Sequence, residues 1–143
     1  MDKEQAARKK RYLKRYQRIQ KKIEGLQEKL AEEECRMLSP KIQHLSHLPR
    51  GGSPKTMADI IAEKAETEER IKNLQQKQKQ IRKEIITKLG ELEDHRHVEV
   101  LELFFIKGHT LEEIADLKTH NVRHIIRLYS KGIEALEIDE PER

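Results

Sequence analysis

Tryptophan is absent from this sequence, phenylalanine occurs twice and tyrosine three times, so the bulky side chains that fill a thick globular core are scarce. A single cysteine, Cys35, excludes an internal disulfide and a cysteine-based zinc site. No apolar run approaches the ~18 residues of a membrane-spanning helix, and the basic, apolar-poor start does not read as a signal peptide. Only four prolines and six glycines interrupt the 143 residues. Charge fills the space instead: Asp, Glu, Lys and Arg make up 39% of the chain and the apolar set 35%. The excess of Leu, Ile, Glu, Lys, Arg and Gln favours helix over disorder, because these side chains lose little rotamer freedom there. The expectation is an all-α, intracellular protein of the cytoplasm, in which one small domain is attached to something elongated. A chain this short excludes a large enzyme.

The net charge of +4 hides an uneven distribution. Residues 1–38 carry 12 Lys or Arg against 7 Asp or Glu, whereas residues 91–143 carry 7 against 13. Residues 5–23 contain no acid at all, and Arg8, Lys9, Lys10, Arg11, Lys14, Arg15 and Arg18 crowd into that stretch. Polyanions are the natural neighbours of such an arm, and phosphate contact is the functional expectation. The plainer reading is the solvated face of a long helix.

Apolar or aromatic residues at Tyr12, Tyr16, Ile19, Ile23, Leu26 and Leu30 follow the 4, 3, 4, 3, 4 spacing that keeps one stripe against a partner helix. A second stripe runs through Met57, Ile60, Ile61, Lys64, Ile71, Leu74, Gln78, Ile81, Ile85, Leu89 and Leu92, weaker in its middle. Between them, Ser39-Pro40 and the run Leu48-Pro49-Arg50-Gly51-Gly52-Ser53-Pro54 break the helix, and Ser53 with Pro54 suits the start of the next one. The pattern predicts a long antiparallel coiled-coil hairpin: a basic helix at 1–38, a Pro/Gly linker at 39–54 and a second helix at 55–92. A lone hairpin buries little, so a homo-oligomer joined through the same stripe is expected.

Residues 93–138 read as a separate three-helix domain, followed by an acidic tail at 139–143. Val98, Leu101, Phe104 and Phe105 lie at helical spacing and Gly108 stops that helix. Thr110-Leu111-Glu112-Glu113 is a capping-box pattern that opens a short helix whose inward residues are Leu111, Ile114, Ala115 and Leu117. Asn121 can then cap a third helix, buried along Ile125, Leu128, Ile133 and Leu136. This is helix-turn-helix spacing. From Lys118 to Lys131 every charged residue is basic: Lys118, Arg123, Arg127 and Lys131. In that motif the start of the second helix faces base edges, which assigns Val122, Arg123 and His124 to double-stranded DNA. Arg123 is suited to a bidentate guanine contact and Val122 to a thymine methyl, with Lys118, Arg127 and Lys131 on phosphates.

The run GHTLEEIADLKTHNVRHIIRLYSKGIEAL, residues 108–136, resembles region four of bacterial primary sigma factors, a module shared by small phage regulators of the ArpU and RinA kind. The wider layout, with LPRGG at 48–52, LED at 92–94 and LELFFIKGHTLEEIA at 101–115, is similar to a family of small sigma-like phage and prophage proteins. The resemblance implies promoter-type DNA as ligand and RNA polymerase as a further partner. It places Asn121 at the cap position, Arg123 and His124 at base-facing positions, and Ile125 and Leu128 in the core. Two residues depart from the pattern: Thr119 stands where the family turn usually has Gly, and Val122 where a polar or basic residue is common. If the turn needs a positive φ, a β-branched Thr there is strained, or the turn is shifted by one residue. The chain also lacks the aromatic-rich module with which a full sigma factor opens promoter DNA, so a complete sigma factor is not expected.

No metal, cofactor or catalytic centre is expected. His120 and His124 are four apart, but His120 precedes the helix capped by Asn121, and no carboxylate or Cys completes a site. His95 and His97, two apart, do not share a helical face. Cys35 has no oriented base, and Gly51-Gly52 lacks the Lys-Ser/Thr of a phosphate loop. The leading expectation is a sequence-specific, DNA-binding, phage-type transcriptional regulator. The alternatives are a DNA-packaging protein of small-terminase type or a replication accessory, and a structural coiled-coil adaptor that does not bind DNA.

Overall fold

A computed structural model describes residues 3–38 and 56–138, and among them the chain is all-helical, with five helices and no strand. These are α1 (Lys3–Leu38), α2 (Met57–Gly90), α3 (His95–Phe105), α4 (Leu111–Lys118) and α5 (Val122–Ala135). The linker at 39–54, including Ser53 and Pro54, and the acidic tail at 139–143 lie outside the described residues. The chain divides into two compact units, Met1–Ile19 with Gln78–Arg143, and Gln20–Lys77.

The second unit contains parts of α1 and α2. Thr56 is not helical and caps α2: its hydroxyl accepts from the Asp59 N–H, while its own N–H donates to the Asp59 carboxylate, both at 3.1 Å. The helix therefore starts at Met57, later than the Ser53-Pro54 signal suggests. Ile23, Ile60 and Ile71 are buried, and Leu26, Leu30 and Leu74 half-buried. Met57 and Ile61, expected in the seam, are 42% and 51% exposed. Successive residues of a helix diverge by about 100°, so Ile60 and Ile61 cannot both face the same neighbour. Two polar residues that spacing alone did not single out, Glu33 and Thr67, are also buried, at 1% and 2% exposed. Beside them lies a cavity of about 450 Å³ lined from residues 29–36 and 63–70. The Thr67 hydroxyl donates to its own helix at the Glu63 carbonyl (2.9 Å), and neither Glu33 carboxylate oxygen has a hydrogen-bond partner among the described residues.

In the first unit, Leu13 and Ile19 of α1 and Ile81, Ile85 and Leu89 of α2 are buried. Leu13 is fully buried, whereas Tyr12 and Tyr16, assigned to the stripe from spacing, are only half-buried. The reason is that this end of α1 has two sets of neighbours. Arg15 pairs with Glu84 of α2 at 2.6 Å. On the other side Gln17 donates to the carbonyls of Phe105 and Ile106, both at 3.1 Å, and Lys10 lies over the Tyr129 ring. Leu13, three after Lys10 and four before Gln17, shares their face.

Three short helices complete this unit. Asp94 caps α3 by accepting from the Arg96 N–H, and the expected Thr110–Glu113 capping box opens α4. Along α3 the buried residues are Val100, Leu101 and Phe105, with Val98 and Phe104 half-buried, because α3 packs against both α4 and α5. Val100 joins Ile114, Ala115, Ile125 and Leu128 in one cluster. Phe104 and Tyr129 meet edge to face at 5.0 Å, and Phe105 stacks on Tyr129 at 5.9 Å. Leu117 is 61% exposed, contrary to its inward assignment. The stripe Leu111, Ile114, Ala115 continues at i+7 with Lys118, not Leu117.

The α5 core positions Ile125, Leu128 and Ile133 are buried as expected, as is Leu136 just beyond the helix. Gly132 is buried among them. A Cβ there would stand 2.9 Å from Leu101 Cδ1 and 3.3 Å from His97 Cβ, so α5 and α3 approach as closely as a bare backbone permits. Replacing glycine by alanine inside a helix ordinarily gains up to ~1 kcal/mol. Here the added Cβ would meet the fully buried Leu101 and the Cβ of His97, and overpacking costs about 1–3 kcal/mol.

Two stability outcomes follow from these contacts. Gly132→Ala lowers the urea midpoint, with a net loss of about 1 kcal/mol or more; an unchanged or higher midpoint would show that the α3–α5 approach is slack. Glu33→Leu raises the thermal midpoint by the equivalent of about 1–3 kcal/mol, because a buried carboxylate without donors is replaced by an apolar side chain of similar size. A drop in midpoint would mean that Glu33 has a partner in solution.

Candidate nucleic-acid interface

The connection from α4 to α5 is built from the backbone outward. Thr119 adopts the left-handed conformation, φ 54° and ψ 41°, and is the only non-glycine with positive φ among the described residues. Its N–H bonds to the Asp116 carbonyl at 3.2 Å and that of His120 to the Ala115 carbonyl at 2.9 Å, the paired bonds that close a helix end with a residue in this conformation. The turn is therefore not shifted by one residue, and the strain falls on Thr119 itself. Its hydroxyl donates back to the Lys118 carbonyl at 2.6 Å. Asn121 then caps α5, its side-chain oxygen accepting from the Arg123 N–H at 2.8 Å.

With Ile125, Leu128, Gly132 and Ile133 turned inward, the opposite side of α5 is fixed by helical geometry. Arg123, Arg127 and Lys131, spaced i, i+4 and i+8, are exposed on that side, and no ion pair engages them among the described residues. His124 is half-exposed, with its ring edge-on to that of His120 at 5.0 Å. Asn121 is exposed, but its side-chain oxygen is committed to the cap.

Two residues assigned to DNA sit differently from the expectation. Lys118 is half-buried and its ammonium pairs with Glu99 of α3, so this cation is neutralised within the fold. Glu99 lies nineteen positions away, and only the packing of α3 on α4 brings it there. Val122 is half-buried and packs against the cluster of Val100, Ile114, Ala115, Ile125 and Leu128, which draws its methyl groups toward the core. Conversely Ile126, which spacing did not single out, is 44% exposed beside Arg127 and one turn after Arg123. It lies seven residues before the buried Ile133, at the edge of the stripe.

The basic arm is not a free tail in its first half. Lys9 donates to the Glu134 carbonyl at 3.0 Å, where the C-terminal end of α5 favours a cation. Lys10 lies 5.7 Å from the Tyr129 ring centre, and burial pushes the Tyr129 hydroxyl above its ordinary pKa. Arg15 bonds to Glu84, to the Tyr12 carbonyl (3.1 Å) and stands over the Tyr12 ring at 4.4 Å. Arg18 donates to the Arg11 carbonyl at 2.9 Å. Arg8, Arg11 and Lys14 are exposed.

Acidic groups nearby are tied into caps. Hydrogen bonds from the Arg96 side chain and backbone lower the Asp94 carboxyl to about 2. The bond from the Thr110 N–H likewise lowers Glu113. Among the described residues no three His, Cys, Asp or Glu are grouped to hold a metal ion, Cys35 is exposed, and no helix is long and apolar enough to cross a membrane. Comparison of the chain with family models, with curated proteins and with solved structures gave no match.

The strained turn offers a direct test of the backbone geometry. A β-branched residue in the left-handed region costs ~1–3 kcal/mol, part of which glycine returns through its own entropy in the unfolded chain. Thr119→Gly raises the urea midpoint by the equivalent of about 1 kcal/mol and leaves the helical circular dichroism unchanged; a lower midpoint would place Thr119 outside the left-handed conformation.

Proposed function

We propose that this protein is a sequence-specific, double-stranded-DNA-binding transcriptional regulator of phage type. In this reading α4, the Thr119 turn and α5 form a helix-turn-helix, and α5 enters the major groove. The observation that carries the reading is the exposed Arg123–Arg127–Lys131 ridge, with no intervening acid and no ion pair among the described residues, on a helix whose other side is buried in a core. A segment net acidic by six that still gathers its cations on one ridge has a directed surface for a polyanion. The resemblance of residues 108–136 to sigma region four supports the same reading, and it makes RNA polymerase a proposed second partner.

The long helices are proposed to form an antiparallel coiled-coil hairpin that joins subunits. Arg15 of α1 meets Glu84 of α2, and residues 29–36 line one cavity with residues 63–70, as reversal of chain direction requires. Two linked copies would read a longer site and gain affinity through effective concentration. A packaging or replication accessory would use the same DNA-binding ridge. A protein-binding adaptor is the second reading, and the engagement of Lys9, Lys10 and Arg15 within the fold favours it, since these cations already have a structural role.

Selection of duplexes from a random pool, followed by fluorescence anisotropy across a salt series, separates the two. Arg123→Ala loses ~1–3 kcal/mol on the selected site and relaxes discrimination at one base pair. Lys131→Ala weakens all sequences alike and lowers the salt slope by about one. Wild-type affinity in both variants, or no enrichment from the pool, would contradict DNA binding by α5 and leave the adaptor reading.

A further inference from the structure

His120 stands outside α5, in the turn that Thr119 makes by adopting positive φ. Its backbone is fixed there, because its N–H bonds to the Ala115 carbonyl at 2.9 Å. Its exposed side chain meets His124: the two rings are edge to face, with centroids 5.0 Å apart and planes at 71°. His124 sits in the first turn of α5, and the side it occupies is read from the residues that follow it. Arg127 comes three later and Lys131 seven later, both exposed members of the ridge. Seven residues bring a helix to within about 20° of its starting direction, so the half-exposed imidazole of His124 flanks the ridge.

A side chain at a helix start otherwise exchanges among rotamers and loses that freedom only when it meets a partner. An edge-to-face ring contact restricts it beforehand. Base edges in the major groove present donors and acceptors in a pattern that differs from pair to pair, and a neutral imidazole carries one donor and one acceptor. The direction of the ring therefore decides what it reads.

We infer that His120 is a positioning residue, which holds the His124 ring in the orientation in which that ring reads one base pair. This rests on the DNA-binding reading above and adds to it a specificity residue that acts through another side chain. It also gives the strained Thr119 turn a use, since that turn sets His120 beside the first turn of α5.

The test measures the affinity of the full-length protein for the duplex selected from the random pool and for its single-base-pair variants. His124→Ala flattens discrimination at one base pair and so locates it. His120→Ala weakens discrimination at that same pair about two- to tenfold, the worth of one edge-to-face ring pair. It leaves the other pairs and the salt slope as in wild type, and it has no further effect once His124 is alanine. His120→Phe keeps a ring at the contact and restores discrimination. Three results overturn the inference while DNA binding stands. His120→Ala weakening all sequences alike makes His120 a phosphate contact, an equal loss in His120→Phe removes the ring contact as the cause, and unchanged discrimination in His124→Ala leaves nothing for His120 to position. Failure to enrich any duplex is a different outcome, and it removes the DNA-binding reading together with this inference.

Discussion

The close approach of α5 to α3 at Gly132 governs what the C-terminal helices present to solvent. A missing Cβ lets the α5 backbone lie against Leu101 and His97, with Ile125, Leu128 and Ile133 buried on the same side. An α-helix held on one side by close packing has its other side determined by the 3.6-residue period alone. The exposed run of Arg123, Arg127 and Lys131 is thus a consequence of core geometry.

Charge acts locally in this molecule. The net figure of +4 says little, because several cations are engaged by the chain itself. Lys118 is held by Glu99, Arg15 by Glu84 and Lys9 by the end of α5, so cations from the basic N-terminal stretch help to tie α1 to its neighbours. The cations that remain on α5 stand out by this contrast. Glu33 and Thr67 show the same logic in reverse, as polar groups that are buried without adding to the apolar core.

What the sequence made legible was local. Thr110 with Glu113 and Asn121 announced two helix starts, and Ile125, Leu128, Ile133 and Leu136 announced one buried stripe, since caps and periodicity are set by residues a few positions apart. What stayed hidden depended on contacts distant in the chain. Tyr12 looked like a seam residue and Leu13 is the buried one, because periodicity shows that a stripe exists but not that a helix end serves two neighbours. The pairing of Lys118 with Glu99 was not legible either, because only packing places Glu99 beside it. Nothing in the spacing singled out Gly132, and only the neighbouring helix shows that a Cβ there would meet Leu101 and His97. The candidate site was legible as a basic helix, while the packing of Val122 on the core depended on helices distant in the chain.

The claim that α5 offers its solvent-facing ridge to duplex DNA is tested most directly by following the backbone amide resonances of the ¹⁵N-labelled protein while a duplex carrying its selected site is titrated in. The account predicts that the largest shifts fall on Thr119 to Lys131 and saturate with the duplex. Shifts confined to α1, or an unperturbed α5 under conditions where the duplex is bound, would contradict it.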